Sequence, residues 1–109
     1  MFKITNNEIT ITRGDTGRFT LNVLNAQGEP YDYSSDTVTF TVKKSTTTSQ
    51  VLIQKTVLYG QPVIIEPADT AELNYGKYVF DVQLTTGGGG IVDTVITPTA
   101  FVVTPEVTF

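Results

Sequence analysis

Apolar and polar residues alternate along this chain in short runs separated by turn-forming clusters, the period-two signature of half-buried strands. The clearest run starts at Tyr78, where Tyr78, Phe80, Val82 and Leu84 share one face and Val79, Asp81 and Gln83 the other. Thr37 to Lys43 repeats the pattern, with Val38, Phe40 and Val42 inward and Thr37, Thr39 and Thr41 toward solvent. Glu8 to Arg13 sets Ile9 and Ile11 against Thr10 and Thr12, and Arg18 to Leu24 turns Phe19, Leu21 and Val23 inward. The intervening Gly14-Asp15-Thr16-Gly17 has turn chemistry, so these two strands are expected to be sequentially linked. Val51 to Val57 is a strand of contested facing, in which Val51 and Ile53 are favoured inward over Leu52 and Leu58. Val63 to Glu66 is short, and Pro67 to Leu73 fits one helical turn with proline near its start. Gly87 to Gly90 reads as a hairpin tip from which Ile91 to Thr97 returns antiparallel. Pro98 cannot donate to a ladder and marks an edge or bulge before Ala100 to Thr104.

Short strands in this number, with at most one helical turn, predict an all-β chain. The expected architecture is an immunoglobulin-like antiparallel β-sandwich of seven to eight strands, with a small barrel as the alternative. At 109 residues the chain makes one domain, 1–109, of which 105–109 is a short tail. Asn74, Gly76 and Tyr78 reproduce the spacing of a tyrosine corner, in which a Tyr hydroxyl ties back to the turn before its strand. Phe80 stands where an antibody domain places a core cysteine. Phe19, Phe40 and Phe80 are expected to fill the space between the sheets.

Composition then narrows the chemistry. A net charge of −4 gives no electrostatic footprint for phosphate backbones or anionic lipid, so neither nucleic acid nor membrane is an expected partner. With no Cys and no His, the chain lacks disulfides, thiolate ligands and the usual general base, and no enzyme activity or cofactor is expected. Met1 to Glu8 has no apolar h-region, so synthesis in the cytoplasm is the expectation.

Arg13-Gly14-Asp15 is the tripeptide that integrins read on exposed tips, but Gly14 and Asp15 are also what a tight turn needs. Gly87 to Gly90 lacks the Lys and Ser/Thr of a phosphate loop. Asp15, Asp32, Asp36 and Asp69 match no calcium-loop spacing and read as solvated turn acids, so no metal is expected. Tyr31, Tyr33, Tyr59 and Tyr75 are the candidate interaction surface, covering the domain ends or meeting other subunits. Sugar stacking is the other use of such rings.

Three stretches carry a family resemblance: Ile9 to Gly17, Thr37 to Lys44, and Asp69 to Leu73 running on to Gly76-Lys77-Tyr78. The chain resembles the small immunoglobulin-like structural proteins of tailed phages and prophages, and is similar to the N-terminal domain of phage upper baseplate proteins. Gly76, Tyr78, Asp81, Val107 and Thr108 match that outline. The resemblance implies a non-enzymatic virion component of the tail or baseplate that assembles with other phage structural proteins and with copies of itself. No catalytic residue carries over. The alternative is a bacterial surface or carbohydrate-binding domain, suggested by the tyrosines and the threonine-rich faces.

Overall fold

The longest alternating run becomes the middle of the molecule. In the computed structural model, which describes residues 2–5, 7–21, 23, 27–86 and 92–105, the chain forms eight strands and one short helix. The strands are β1 (Phe2–Thr5), β2 (Glu8–Thr12), β3 (Gly17–Phe19), β4 (Thr37–Lys43), β5 (Ile53–Val57), β6 (Val63–Ile65), β7 (Gly76–Thr85) and β8 (Val92–Thr104), with α1 (Pro67–Ala71) between β6 and β7. A curled six-stranded sheet runs β1-β2-β8-β7-β4-β5, and β3 pairs with β6 in a second sheet. Among the described residues the chain is all-β apart from one helical turn.

Two expectations about pairing are corrected. The sheet is mixed, because β2 lies parallel to β8, setting Ile9 beside Phe101 and Ile11 beside Val103. Nor are the first two expected strands neighbours, since β3 pairs antiparallel with β6, Gly17 opposite Ile65. The turn between them explains why. Gly14 has φ +84° and its N–H donates to Thr70 Oγ1 at 2.9 Å, while the Asp15 N–H donates to the Thr12 carbonyl at 3.0 Å. Anchored on fully buried Thr70 of α1, this turn carries the chain from one sheet to the other.

β1 is an addition to the strands read from the pattern. It folds back on β2 with Phe2 opposite Ile11, and the Phe2 ring stacks on Phe19 at 6.1 Å between centroids. A Cβ at Gly17 would stand 2.5 Å from Phe2 Cδ1, so the bare backbone there is what lets β1 close over the core. Of the strand expected over Arg18 to Leu24, Arg18 and Phe19 belong to β3 and Asn22 and Leu24 lie outside the described residues; Val23 is buried as foreseen, and its carbonyl receives the Tyr31 N–H at 2.8 Å. Val51 is exposed and not inward, since β5 begins at Ile53. At Asp81 the β7–β8 register slips, and Pro98 lies in the β8 segment where the bulge falls.

The core follows the alternation closely. Phe40 is fully buried, with ring centroids of Phe19, Phe80 and Phe101 at 5.7, 5.3 and 6.4 Å. Phe80 is buried, while Phe19 is half-buried at the margin. On β5, Lys55 lies between buried Ile53 and Val57 on the inner face, and its ammonium reaches Asp69 of α1 at 2.8 Å. Asp69 Oδ2 also accepts the Glu66 N–H at 2.7 Å, closing the start of the helix.

Tyr78 is buried and its hydroxyl donates to the Asn74 carbonyl at 2.7 Å, the closure that the Asn74, Gly76 and Tyr78 spacing implies. Gly76 has φ +141°, a conformation that residues with a Cβ rarely adopt. Tyr78→Phe is expected to lower the unfolding free energy by about 1–2 kcal/mol, read from the urea midpoint at unchanged slope. A loss below about 0.3 kcal/mol would mean that water replaces the bond and the corner stabilises nothing.

Candidate interaction surfaces

The four tyrosines expected at the surface separate into two groups at opposite ends of the strands. Tyr31, Tyr33 and Tyr59 lie where β4 begins and β5 ends, for Val38 pairs with Val57 and Thr37 with Thr85. Tyr75 adjoins Gly76, which pairs with Val103 at the other end. Ten-residue β7 connects the two, and puts about 30 Å between them.

At the first end, Tyr33 is corrected from surface to core. It is 5% exposed and its ring meets Tyr59 edge-on, 5.0 Å between centroids at 89°. This contact leaves Tyr59 exposed but fixed against a buried support. Tyr31 is exposed and donates its hydroxyl to Asp36 Oδ2 at 2.6 Å, while the Asp36 N–H donates to the Tyr33 carbonyl at 2.9 Å. Acceptance by Asp36 raises the Tyr31 phenol pKa above its ordinary value. Asp32 is held below the usual carboxylate range by the Ser34 hydroxyl and backbone N–H, the latter donating at 2.9 Å. Leu58 is 65% exposed beside Tyr59, on the outward side that the favoured facing of this strand gives it, though it was not among the candidate interaction residues. The result is a tip with Tyr31, Leu58 and Tyr59 outward, bordered by Glu29, Asp32 and Asp36.

Burial raises the Tyr33 phenol pKa, with Tyr59 adding to the effect. The neutral phenol is therefore the folded form's preference. Its contribution to stability is complete below the unfolded value near pH 10 and is lost as pH climbs through the higher folded value. Tyr33→Phe should flatten the fall of Tm above about pH 10, measured by circular dichroism. An unchanged alkaline slope would show that Tyr33 ionises as freely folded as unfolded.

At the second end, the Arg13 guanidinium sits 4.4 Å from the Tyr75 ring centroid and Nη2 donates to the Tyr75 hydroxyl at 2.8 Å. Arg13 is half-buried and held inward, which is a turn and not a free Arg-Gly-Asp tip. Tyr75 stays exposed. Lys43 stands opposite Val79, and the Lys44 ammonium lies 4.8 Å over the Tyr78 ring, so Lys43, Lys44 and Lys77 crowd one corner beside Tyr75. Asp15 and Glu72 belong to this end too, and Asp69 is paired with Lys55.

No family model, curated protein or solved structure matches this chain. The acids considered for a cation are divided, Asp15 and Asp69 at the α1 end and Asp32 and Asp36 at the tip, and among the described residues no group of His, Cys, Asp or Glu could hold a metal ion. Among the described residues no helix is long and apolar enough to cross a membrane. Gly87 to Gly90, Val107 and Thr108 lie outside the described residues.

A further surface went unnoticed in the pattern. The outer face of β4, β5 and β7 forms a groove of about 240 Å³, lined by Thr41, Gln54, Asp81 and Gln83 with Val79 and Pro98. Alternation puts these residues on the outer face, but only the curl of the sheet and the bulge at Pro98 make that face concave.

Proposed function

We propose that this chain is a non-enzymatic structural protein of a phage or prophage particle, a tail or baseplate interaction module built on an immunoglobulin-like sandwich. The fold part of this reading is supported by the strand order, by β3 and β6 facing the larger sheet across one core, and by the Tyr78 to Asn74 hydrogen bond. The observation that carries the function is the pair of ends at which Tyr31, Tyr59 and Tyr75 stay exposed while neighbouring side chains fix them. A tyrosine immobilised before binding loses little entropy on docking, which is the economy of a protein–protein anchor. The family resemblance supplies the particle, with other phage structural proteins as partners and synthesis in the bacterial cytoplasm before assembly into the virion. Mass spectrometry of purified particles from an induced host is the test: the chain should be found at constant stoichiometry, and its steady absence would defeat the reading.

The groove favours a second reading, a carbohydrate-binding domain. Gln54, Gln83 and Asp81 offer amide and carboxylate groups to hydroxyls, and Val79 and Pro98 offer apolar contacts. Burial of Tyr33 removes it from the stacking set first considered. Glycan-array binding lost in Asp81→Ala would support this reading, and flat binding across all glycans would remove it.

A further inference from the structure

We infer that copies of this chain assemble head to tail, the acidic tyrosine tip of one docking on the basic Tyr75 corner of the next. The inference rests on the interaction-module reading and names a partner for its two ends. Residues 27–37 and 58–62, which form the tip, contain Glu29, Asp32 and Asp36 and neither Lys nor Arg. Within that border Tyr31, Leu58 and Tyr59 are 37%, 65% and 48% exposed, the two rings held by Asp36 and Tyr33. Lys43, Lys44 and Lys77 gather at the far corner, where with Arg13 they outnumber Asp15 and Glu72 and where Tyr75 is 44% exposed.

A second copy is therefore the occupant whose charge and chemistry suit both ends at once. Carboxylates of one tip face ammonium groups of the next corner, and tyrosines are available on both sides for stacking and for contact with cations. Tip against tip would set like charges together, as would corner against corner, so a two-fold pairing of either end is disfavoured. The length of β7, about 30 Å, separates the two ends, so the contact is heterologous. Such a contact propagates, into a ring if its rotation closes and a filament if it does not.

Sedimentation velocity on the full chain tests this. Association should rise with concentration and weaken about tenfold or more between about 0.05 M and about 0.5 M salt. Glu29→Lys with Asp32→Lys should abolish it, as should Lys44→Glu with Lys77→Glu in a separate chain. An equimolar mixture of the two variants should associate again, because each reversed end then meets its complement in the other chain. A wild-type chain that remains monomeric throughout, association indifferent to both reversals, or a mixture that stays monomeric would each overturn the inference. Wild-type monomers that are nonetheless present in particles would leave the assembly role standing and remove only the self-association. Ordered head-to-tail polymers of a chain absent from particles would do the reverse.

Discussion

Phe40→Ala is expected to lower the unfolding free energy by about 3–5 kcal/mol, the largest loss from any single truncation in this chain. The ring is fully buried at the middle of β4, with Val82 opposite on β7 and Lys55 on β5, and three other phenylalanine rings stand within 6.4 Å of it. Those neighbours belong to β3, β7 and β8, and strands held in hydrogen-bonded ladders cannot collapse into the void without losing register. A domain of this size commonly holds about 5–15 kcal/mol in total, so the variant should sit near the edge of folding. Phe19→Ala makes the comparison. Phe19 is half-buried at the edge of the core, its ring meeting those of Phe2 and Phe40, so its truncation should cost less than half as much. Urea titrations of both variants decide the matter. Equal losses would mean that the core is centred elsewhere.

That centre was legible in the alternation, because period two assigns faces without knowledge of the partners. Val38, Phe40, Val42, Tyr78, Phe80, Val82 and Leu84 are all buried as the pattern requires. Pairing partners were not legible. Nothing in Ile9 or Ile11 distinguishes a strand beside β3 from one parallel to β8, because that choice depends on Thr70 holding Gly14 from the far side of the sequence. Phe2 was passed over for a related reason, since four residues are too few to show a period. Tyr33 misled because an amphipathic ring in a polar loop looks like surface, and only its contact with Tyr59 shows that the loop folds inward. Tyr78 was legible because the corner is local: donor and acceptor lie within one turn of chain.

Asp69→Ala should lower stability by about 2 kcal/mol, more than the loss of an ordinary surface ion pair. Lys55 explains the difference. It occupies the inner face of β5, an outer strand of the six-stranded sheet, and its stem runs past buried Ile53 and Val57 so that the ammonium meets Asp69 at 2.8 Å. The pair keeps 26% and 21% of side-chain exposure, so solvent screens part of the attraction and the full penalty of a buried charge does not apply. Removing Asp69 also frees the Glu66 N–H at the start of α1, the turn whose Thr70 positions Gly14. An inward lysine at a sheet margin further discourages pairing with a foreign strand, and its partner on α1 is what makes that placement tolerable. Lys55→Met should therefore cost little by itself, and in that background Asp69→Ala should lose only its capping share, about 1 kcal/mol. Chemical denaturation of the wild type, both single variants and the double variant gives the coupling directly. Strict additivity would show that Lys55 and Asp69 act independently, and that nothing ties the margin of β5 to the helix.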